Sequence, residues 1–243
     1  IILMGLGLAM LGRSLDRPEW VVLGLAGCLL HVWYHSLFKA LLFLCAGSVV
    51  HSTHTRQIDQ LGGLAKTMPW TAAMFLVGAV AICGLPPLNG FISELFVYLG
   101  LLGAMSSDGI TGSAAVIVVP VLAMIGALAV ACFVKVYSVV FLGSPRTPAA
   151  MITHEAPFSM RAPMGVLAVC CAVIGIVPIL LTPILDSAIT VWMLDSDIMS
   201  PSVCMVAPLE AISVLSIVLI ALFAVLSLAL RLRDRKSVVV GKR

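Results

Sequence analysis

Long apolar runs separated by short polar loops form the main pattern along this chain. Most of the runs approach or exceed the roughly 20 residues that an α-helix needs to cross a bilayer. None alternates with the two-residue period of a barrel strand. The pattern therefore predicts an all-α fold, a polytopic bundle of transmembrane helices. Helical segments are predicted at Ile1–Gly12, Trp20–Val50, Trp70–Leu85, Phe91–Ala104, Gly112–Gly143, Ala162–Leu185 and Leu209–Leu230.

Composition supports a membrane location and excludes several classes of function. Hydrophobic residues make up 61% of the 243 positions and charged residues only 10%, against about 25% charged in a soluble domain. The cysteines show no CxxC spacing of the kind that holds iron–sulfur clusters or zinc. Phosphate-binding loops and basic patches with interleaved aromatics are also missing, which argues against nucleic-acid binding. The chain opens inside an apolar run without Met, so we expect a fragment whose first helix is incomplete.

Three ionisable side chains interrupt the second run. His31, His35 and Lys39 follow one another at four-residue steps, a spacing that returns to nearly the same face of a helix. They form a polar ladder about 12 Å long at a 1.5 Å rise per residue. Ionisable groups at membrane depth are costly, and they are typical of ion or proton paths.

The ladder has three interpretations from the residues alone. In a proton relay, neutral histidine passes a proton between its ring nitrogens, and a desolvated lysine exchanges one near neutrality. In a metal site, His31 and His35 form a ligand pair at i and i+4, although no third ligand lies nearby in the sequence. In a structural interpretation, the three residues only bond neighbouring helices.

A second element lies between two short apolar pieces, in the stretch LPPLNGFISE. Pro86 and Pro87 remove two backbone donors and break the helix, Asn89 follows, and Gly90 permits a sharp re-entry. Broken helices at membrane depth are found where they are buried in protein or line a water-filled cavity, and they recur at transporter ion sites. We expect Glu94 to lie near the first turn of the second piece, where the helix N-terminus would stabilise its anion. The alternative is an ordinary turn with an interfacial glutamate.

Lys135 is a third candidate, within the long apolar helix that ends near Gly143. It lies close enough to that end for its side chain to extend to the interface. Interfacial extension and a role as the exit of a relay both stay open.

The placement of basic residues predicts the orientation of the last helices. The tail after Leu230 is rich in Lys and Arg, so we expect it on the cytoplasmic side. The loop that contains Arg146 then lies on the cytoplasmic side, and the acidic loop Asp186–Pro208, with Asp186, Asp195 and Asp197, lies outside.

Upstream, the same rule leaves two alternatives. If residues 70–104 cross the membrane twice, Arg13 and Arg17 lie inside and Arg56 and Lys66 lie outside. If the segment crosses once, the two pairs exchange sides.

Several motifs resemble one known family. HVWYHSLFKALLFLCAGSVVH, LGGLAKTMPW and GLPPLNGFISE are similar to sequences of the antiporter-like membrane subunits of respiratory complex I, Mrp-type sodium/proton antiporters and membrane-bound hydrogenases. GLPPLNGFISELFVY, CFVKVYSVVFLGSPR and HEAPFSMRAPM most resemble the hydrogenase-4 and formate hydrogenlyase members. The resemblance extends from Ile1 to about Pro178.

This resemblance implies a fold and a set of site residues. Family members contain two inverted five-helix repeats, each with a broken helix, and a line of buried Lys, His and Glu that carries protons. The chain would be the second repeat, with His31, His35 and Lys39 on the connecting helix, Glu94 on the broken helix and Lys135 at a basic position. The resemblance also implies that residues 70–104 cross the membrane twice. It places the metal centres in peripheral redox subunits, so no cofactor or metal is expected in this chain.

The sequence therefore predicts a proton-translocating membrane subunit of a hydrogenase, formate hydrogenlyase or NADH:quinone oxidoreductase-like complex, in a bacterial or archaeal cell membrane. It would carry no redox centre itself, and its partners would be other membrane subunits, redox subunits and the lipid bilayer. The alternatives are an Mrp-like cation/proton antiporter subunit and a structural scaffold. Residues 1–143 would be the second half of the antiporter-like domain, 144–230 additional C-terminal helices and 231–243 a basic tail, for which an artefact of cloning or assembly is the alternative.

Overall fold

The computed structural model describes residues 1–193 and 201–240, with side chains to residue 226. All of the regular secondary structure in this part is helical, in agreement with the predicted fold class. The α-helices are α1 (Ile2–Ser14), α2 (Pro18–Thr53), α3 (Pro69–Ile82), α4 (Asn89–Met105), α5 (Ile110–Phe141), α6 (Pro148–Met151), α7 (Phe158–Ile176), α8 (Thr182–Met193), α9 (Val203–Val206) and α10 (Leu209–Val240). Short 3₁₀ turns occur at Ile58–Gln60 and Pro178–Leu181.

Four of the described helices are long and apolar enough to cross a bilayer: α2, α5, α7 and residues Leu209–Leu226 of α10. Helices α1, α3 and α4 are shorter apolar helices, as is the segment Pro178–Met193. The distribution agrees with the predicted membrane bundle.

Helix α2 is the rod on which the other helices pack. Its 36 residues extend about 54 Å, which exceeds the thickness of a bilayer. One face is almost fully buried and includes Tyr34, Phe38, Leu41 and Cys45. Helix α1 packs closely against its first half, since the α-carbons of Gly5 and Gly24 each lie against the other's carbonyl oxygen. Small residues permit such close approach between membrane helices.

Helix α3 runs antiparallel to the second half of α2. Near its start, the hydroxyl of Thr71 lies 3.1 Å from that of Ser48. Two turns later, Gly78 packs against Leu42. As residue numbers increase along α3, the numbers of the α2 residues that they contact decrease, so the two helices are antiparallel.

Helix α4 continues in the same direction along the first half of α2. Ser93 contacts His31 at 2.9 Å, and Gly103 packs on the indole of Trp20. Helices α3 and α4 thus lie end to end and make one crossing in two pieces. The expectation that residues 70–104 cross twice is wrong. The prolines interrupt the backbone hydrogen bonds without reversing the chain, because α2 offers both pieces one continuous packing surface.

Because residues 70–104 cross the membrane once, the positive-inside rule now puts Arg56 and Lys66 inside and Arg13 and Arg17 outside. Arg146 donates to the carbonyl of Leu61 at 2.8 Å, which places its loop on the same side as the loop that carries Arg56 and Lys66. On the opposite side, the guanidinium of Arg13 lies 5.2 Å from the ring centre of Trp192. We refer to the side of the bundle that carries Arg146, Arg56 and Lys66 as the Arg146 side.

The segment that follows α6 also crosses beside α2 in two pieces. In α7, Met164 contacts Cys45 of α2, and α8 joins the core that includes the first half of α2. The prediction of one helix over Ala162–Leu185 therefore missed an interruption at Pro178, and the predicted loop Asp186–Pro208 begins as helix. Asp186 tolerates this position because its carboxylate accepts hydrogen bonds from Ser202 and the backbone of Val203.

The two interruptions meet inside the bundle. Gly175, near the end of α7, lies against the backbone of Pro87, Leu88 and Asn89. Gly90 lies against the carbonyl oxygen of Ala81 at the end of α3.

The last helix is longer than predicted, since α10 continues past Leu230 into the predicted basic tail and ends at Val240. Asp195 and Asp197 lie outside the described residues.

The close approach at Gly90 leads to a stability prediction. A Cβ at this position would overlap the Ala81 carbonyl oxygen, so Gly90→Ala should destabilise the fold by about 1–3 kcal/mol. Gly126→Ala is the matched control, because nothing lies within 4 Å of a Cβ there. Thermal unfolding in detergent should show a lower midpoint for Gly90→Ala and no decrease for Gly126→Ala. Equal midpoints would contradict the packing of the break described above.

Candidate proton path at the helix break

The three ladder residues lie on α2 with graded exposure. His31 is buried, whereas His35 and Lys39 are half-buried. The helical period explains the gradient, because a four-residue step turns the side chain by about 40° around the helix axis. The ladder therefore leaves the buried face gradually, and Lys39 lies at its edge.

The rings of His31 and His35 lie close together, with their centroids 5.8 Å apart. Phe38, which is 1% exposed, contacts both rings by its edge or face at 6.2 and 5.3 Å. This buried ring holds the two imidazoles beside each other on the helix surface. Among the described residues, His31 bonds to Ser93 and not to His35, so a proton would pass between the two imidazoles through a bridging water.

His31 joins the ladder to the broken helix. Its Nδ1 atom lies 2.9 Å from the hydroxyl oxygen of Ser93, and that hydroxyl donates to the carbonyl of Gly90 at 3.0 Å. With the serine proton directed at Gly90, Nδ1 of His31 is the donor to Ser93. The other ring nitrogen, Nε2, is then the one that accepts a proton.

Ser93 was missed by the sequence reasoning, although it lies within the quoted motif. The available signal was its spacing, since Ser93 follows Asn89 by four residues and so shares its helix face. Both side chains are completely buried. Such polar side chains in the first turns of a broken helix are candidates for a site.

Two buried polar groups at the same level have no hydrogen-bond partner within the described part of the chain. They are the hydroxyl of Tyr34 and the side-chain amide of Asn89, both on residues that are 0% exposed. Tyr34 belongs to the core cluster that also contains Leu88 and Ile92, on either side of Asn89 and Gly90. Buried polar atoms are normally satisfied by protein or by internal water, so this part of the bundle has the chemistry of a hydrated site.

The structure places Glu94 beside the break. Its carboxyl group packs on the α-carbon of Gly84, in the turn that ends α3, and the residue is half-buried. Helix α4 begins at Asn89, so Glu94 is just beyond the first turn. The expected stabilisation of its anion by the helix N-terminus is therefore weak, because that effect falls off within the first turn.

Lys135 is not brought together with the other candidates. It lies on an exposed face of α5, a helix of which only a small part is covered by the rest of the bundle. Six residues separate it from the end of α5 at Phe141, a distance of about 9 Å. That placement is compatible with a side chain that extends to the interface.

The metal interpretation of the histidine pair gains no support from the geometry. Among the side chains that the structure describes, in residues 1–193 and 201–226, no three His, Cys, Asp or Glu are grouped closely enough to hold an ion. One ring nitrogen of His31 is also engaged by Ser93.

Comparison with known proteins shows that part of the chain is similar to one family. A model of the transmembrane region of the NADH:quinone oxidoreductase/Mrp antiporter family matches residues 6–123. Residues 6–123 are therefore similar to that family. The match includes His31, His35, Lys39 and Glu94, and it ends before Lys135.

Two proteins similar to this chain come from Escherichia coli (strain K12). Hydrogenase-4 component B is 44% identical over 177 residues, which are 72% of this chain and 26% of the relative. Formate hydrogenlyase subunit 3 is 43% identical over 190 residues, which are 78% of this chain and 31% of the relative. The chain thus spans between a quarter and a third of the length of these relatives.

A solved structure shares the fold of this antiporter-like segment. A chain of the Mrp complex from Dietzia sp. DQ12-45-1b superposes with a TM-score of 0.58 at 23% identity, over 70% of this chain and 38% of that one. The resemblance drawn from the sequence motifs is confirmed. The predictions of an all-α membrane bundle and of an integral membrane protein are confirmed as well.

Proposed function

We propose that this chain forms part of a proton-translocating membrane subunit and carries protons along Lys39, His35, His31 and Glu94. The observation that carries this proposal is the hydrogen bond between His31 and Ser93. It connects the ladder on α2 with the broken helix, one residue before Glu94. Without that contact, the ladder and the glutamate would be two separate polar features.

Each group has a role that follows from its chemistry. Lys39, half-buried at the edge of the ladder, is the central carrier, since the amine of a lysine, unlike a guanidinium, can both accept and release a proton. The histidines relay protons because a neutral imidazole accepts on one nitrogen while it donates from the other. Glu94 is the outlet group beside the break.

Hydration at the break supports this role. The unpartnered groups of Tyr34 and Asn89 lie at the level where α3 gives way to α4, and a broken helix at membrane depth is typical of polar, water-accessible sites. Water held there would bridge distances that the side chains do not bridge themselves.

The relatives suggest the complex in which the chain operates. Hydrogenase-4 component B and formate hydrogenlyase subunit 3 are named as components of larger enzymes. We infer that this chain acts as a non-redox subunit of such a complex, beside other membrane subunits and with peripheral subunits that carry the metal centres. Reduction in those subunits would change the charge or hydration along the path. We propose that residues 1–143 form its antiporter-like half, with Lys135 at the exit of the path.

An Mrp-like cation/proton antiporter is the second candidate, favoured by the fold shared with a chain of an Mrp complex. Neighbouring genes that encode antiporter subunits in place of hydrogenase subunits would support it. In a structural scaffold, by contrast, the buried charges would only hold helices together.

Ser93→Ala tests whether the junction belongs to the path. The variant removes the partner of His31 Nδ1, a hydrogen bond with a net value of about 0.5–1.5 kcal/mol. We expect proton uptake by vesicles that contain the complex to fall about fivefold, while assembly is retained. Ser93→Cys, whose sulfur is a weak acceptor on a side chain of similar size, should retain more uptake than Ser93→Ala.

The matched control is Ser216→Ala, which removes another buried serine hydroxyl far along the chain, in α10. Its uptake should equal that of the wild type. If Ser93→Ala also transports protons at the wild-type rate, the junction is not part of the path.

A further inference from the structure

A groove on the outer surface of the bundle begins at the Arg146 side. It lies between Trp70 at the start of α3 and one face of α7, and it has a volume of about 610 Å³. Along α7 its lining is formed by Phe158, Arg161, Gly165, Val166, Val169 and Cys170, residues at three- and four-residue spacing that share one helix face. Apart from one guanidinium, the lining is apolar.

Arg161 supplies that charge in the first turn of α7. The Nε atom of its guanidinium is buried and has no hydrogen-bond partner within the described part of the chain. A guanidinium is always charged, and its fork of N–H donors matches carboxylate and phosphate oxygens. A buried guanidinium N–H without a partner is costly, so an anion would be favoured at this site.

The dimensions of the groove match one leaflet of a bilayer. From Arg161 to Cys170, nine residues of helix extend about 14 Å, roughly half of the 30 Å hydrocarbon thickness. Trp70 is 46% exposed at the same end as Arg161, a position typical of aromatic residues at the membrane interface. The cation therefore lies at headgroup depth, and the apolar part lies at acyl-chain depth.

We propose that this groove binds one anionic phospholipid, with its phosphate on Arg161 and an acyl chain over Gly165 and Val169. The positive-inside rule, applied with a single crossing for α3 and α4, puts this end of the groove on the cytoplasmic side, whose leaflet is rich in anionic lipids. The charge of Arg161 favours such a lipid over a neutral one. This proposal stands independently of proton transport, because it involves none of the path residues.

Lipid titration of the purified complex tests the proposal. The whole complex is delipidated in mild detergent, and its thermal midpoint is followed as phosphatidylglycerol or phosphatidylcholine is added. We expect phosphatidylglycerol to raise the midpoint in the wild type, with an apparent affinity about fivefold weaker in Arg161→Gln. Phosphatidylcholine should have little effect on either.

Two further variants make the result specific. Arg56→Gln removes a basic charge from an exposed loop on the same side and should respond to phosphatidylglycerol like the wild type. Gly165→Leu fills the apolar part of the groove, where a Cβ meets nothing within 4 Å, and should weaken the response without loss of assembly.

An unchanged response in Arg161→Gln, or an equal response to both lipids, would overturn the proposal. It would also be overturned if cross-linking from Val166 captured a helix of a neighbouring subunit in the groove in place of lipid.

Discussion

Replacement of Lys39 by alanine should reduce proton uptake by more than about tenfold while the complex still assembles. Lys39 lies half-buried at the edge of the ladder, four residues beyond His35. It is the group that holds a proton before the proton passes to the histidines. Its removal would break the chain of titratable groups. Uptake by sealed vesicles during redox turnover measures this effect.

Lys39→Arg separates proton exchange from charge. Arginine retains the positive charge, but it does not release a proton in proteins, so this variant should assemble and yet lose uptake. Lys66→Ala removes an exposed lysine from a loop and should leave uptake unchanged. If Lys39→Arg transports protons normally, only the charge is needed and the relay role of Lys39 is wrong.

Glu94→Gln should also lower uptake by more than about tenfold. Glutamine has nearly the same shape and can occupy the place of the carboxyl group on Gly84, but it cannot ionise. Glu94→Asp keeps the carboxyl group and withdraws it by one methylene, so we expect this variant to retain more transport than Glu94→Gln.

The matched control for this series is Glu210→Gln, in the exposed first turn of α10. It should transport protons like the wild type. Equal losses in Glu94→Gln and Glu94→Asp would argue that the side chain is needed for its exact fit and not for its titration.

Much of the fold follows from the apolar pattern. The runs predicted α1 to α5 to within about three residues, because apolar length and the cost of unpaired backbone in lipid leave few alternatives. The proline pair likewise predicted the interruption between α3 and α4.

The direction of the chain through that break was not predictable from the same residues. Prolines 86 and 87 are compatible with either a turn or a continued crossing. The direction of the chain after the prolines is determined by the continuous surface of α2, where Ser48 and Leu42 lie beside α3 and His31 lies beside α4. The same tertiary packing explains why α7 and α8 could not be recognised as an interrupted crossing.

The candidate site was predicted in part. The ladder was recognised from its four-residue steps, and its gradual turn away from the core also follows from the helical period. The contact from His31 to Ser93 depends on the register between α2 and α4, which no local pattern specifies. Lys135 had the right chemistry for a relay, but its distance from the ladder depends on the peripheral position of α5.

The most direct test of the central claim is a double-variant measurement of proton uptake per redox turnover in sealed vesicles. The complex is compared in four forms: wild type, Lys39→Ala, Glu94→Gln and the two combined, with assembly verified in each. One path through the His31–Ser93 junction predicts that the combined variant transports no less than the more impaired single variant, because a path that is already broken cannot be broken again. Losses that multiply would show two independent routes and would contradict the account.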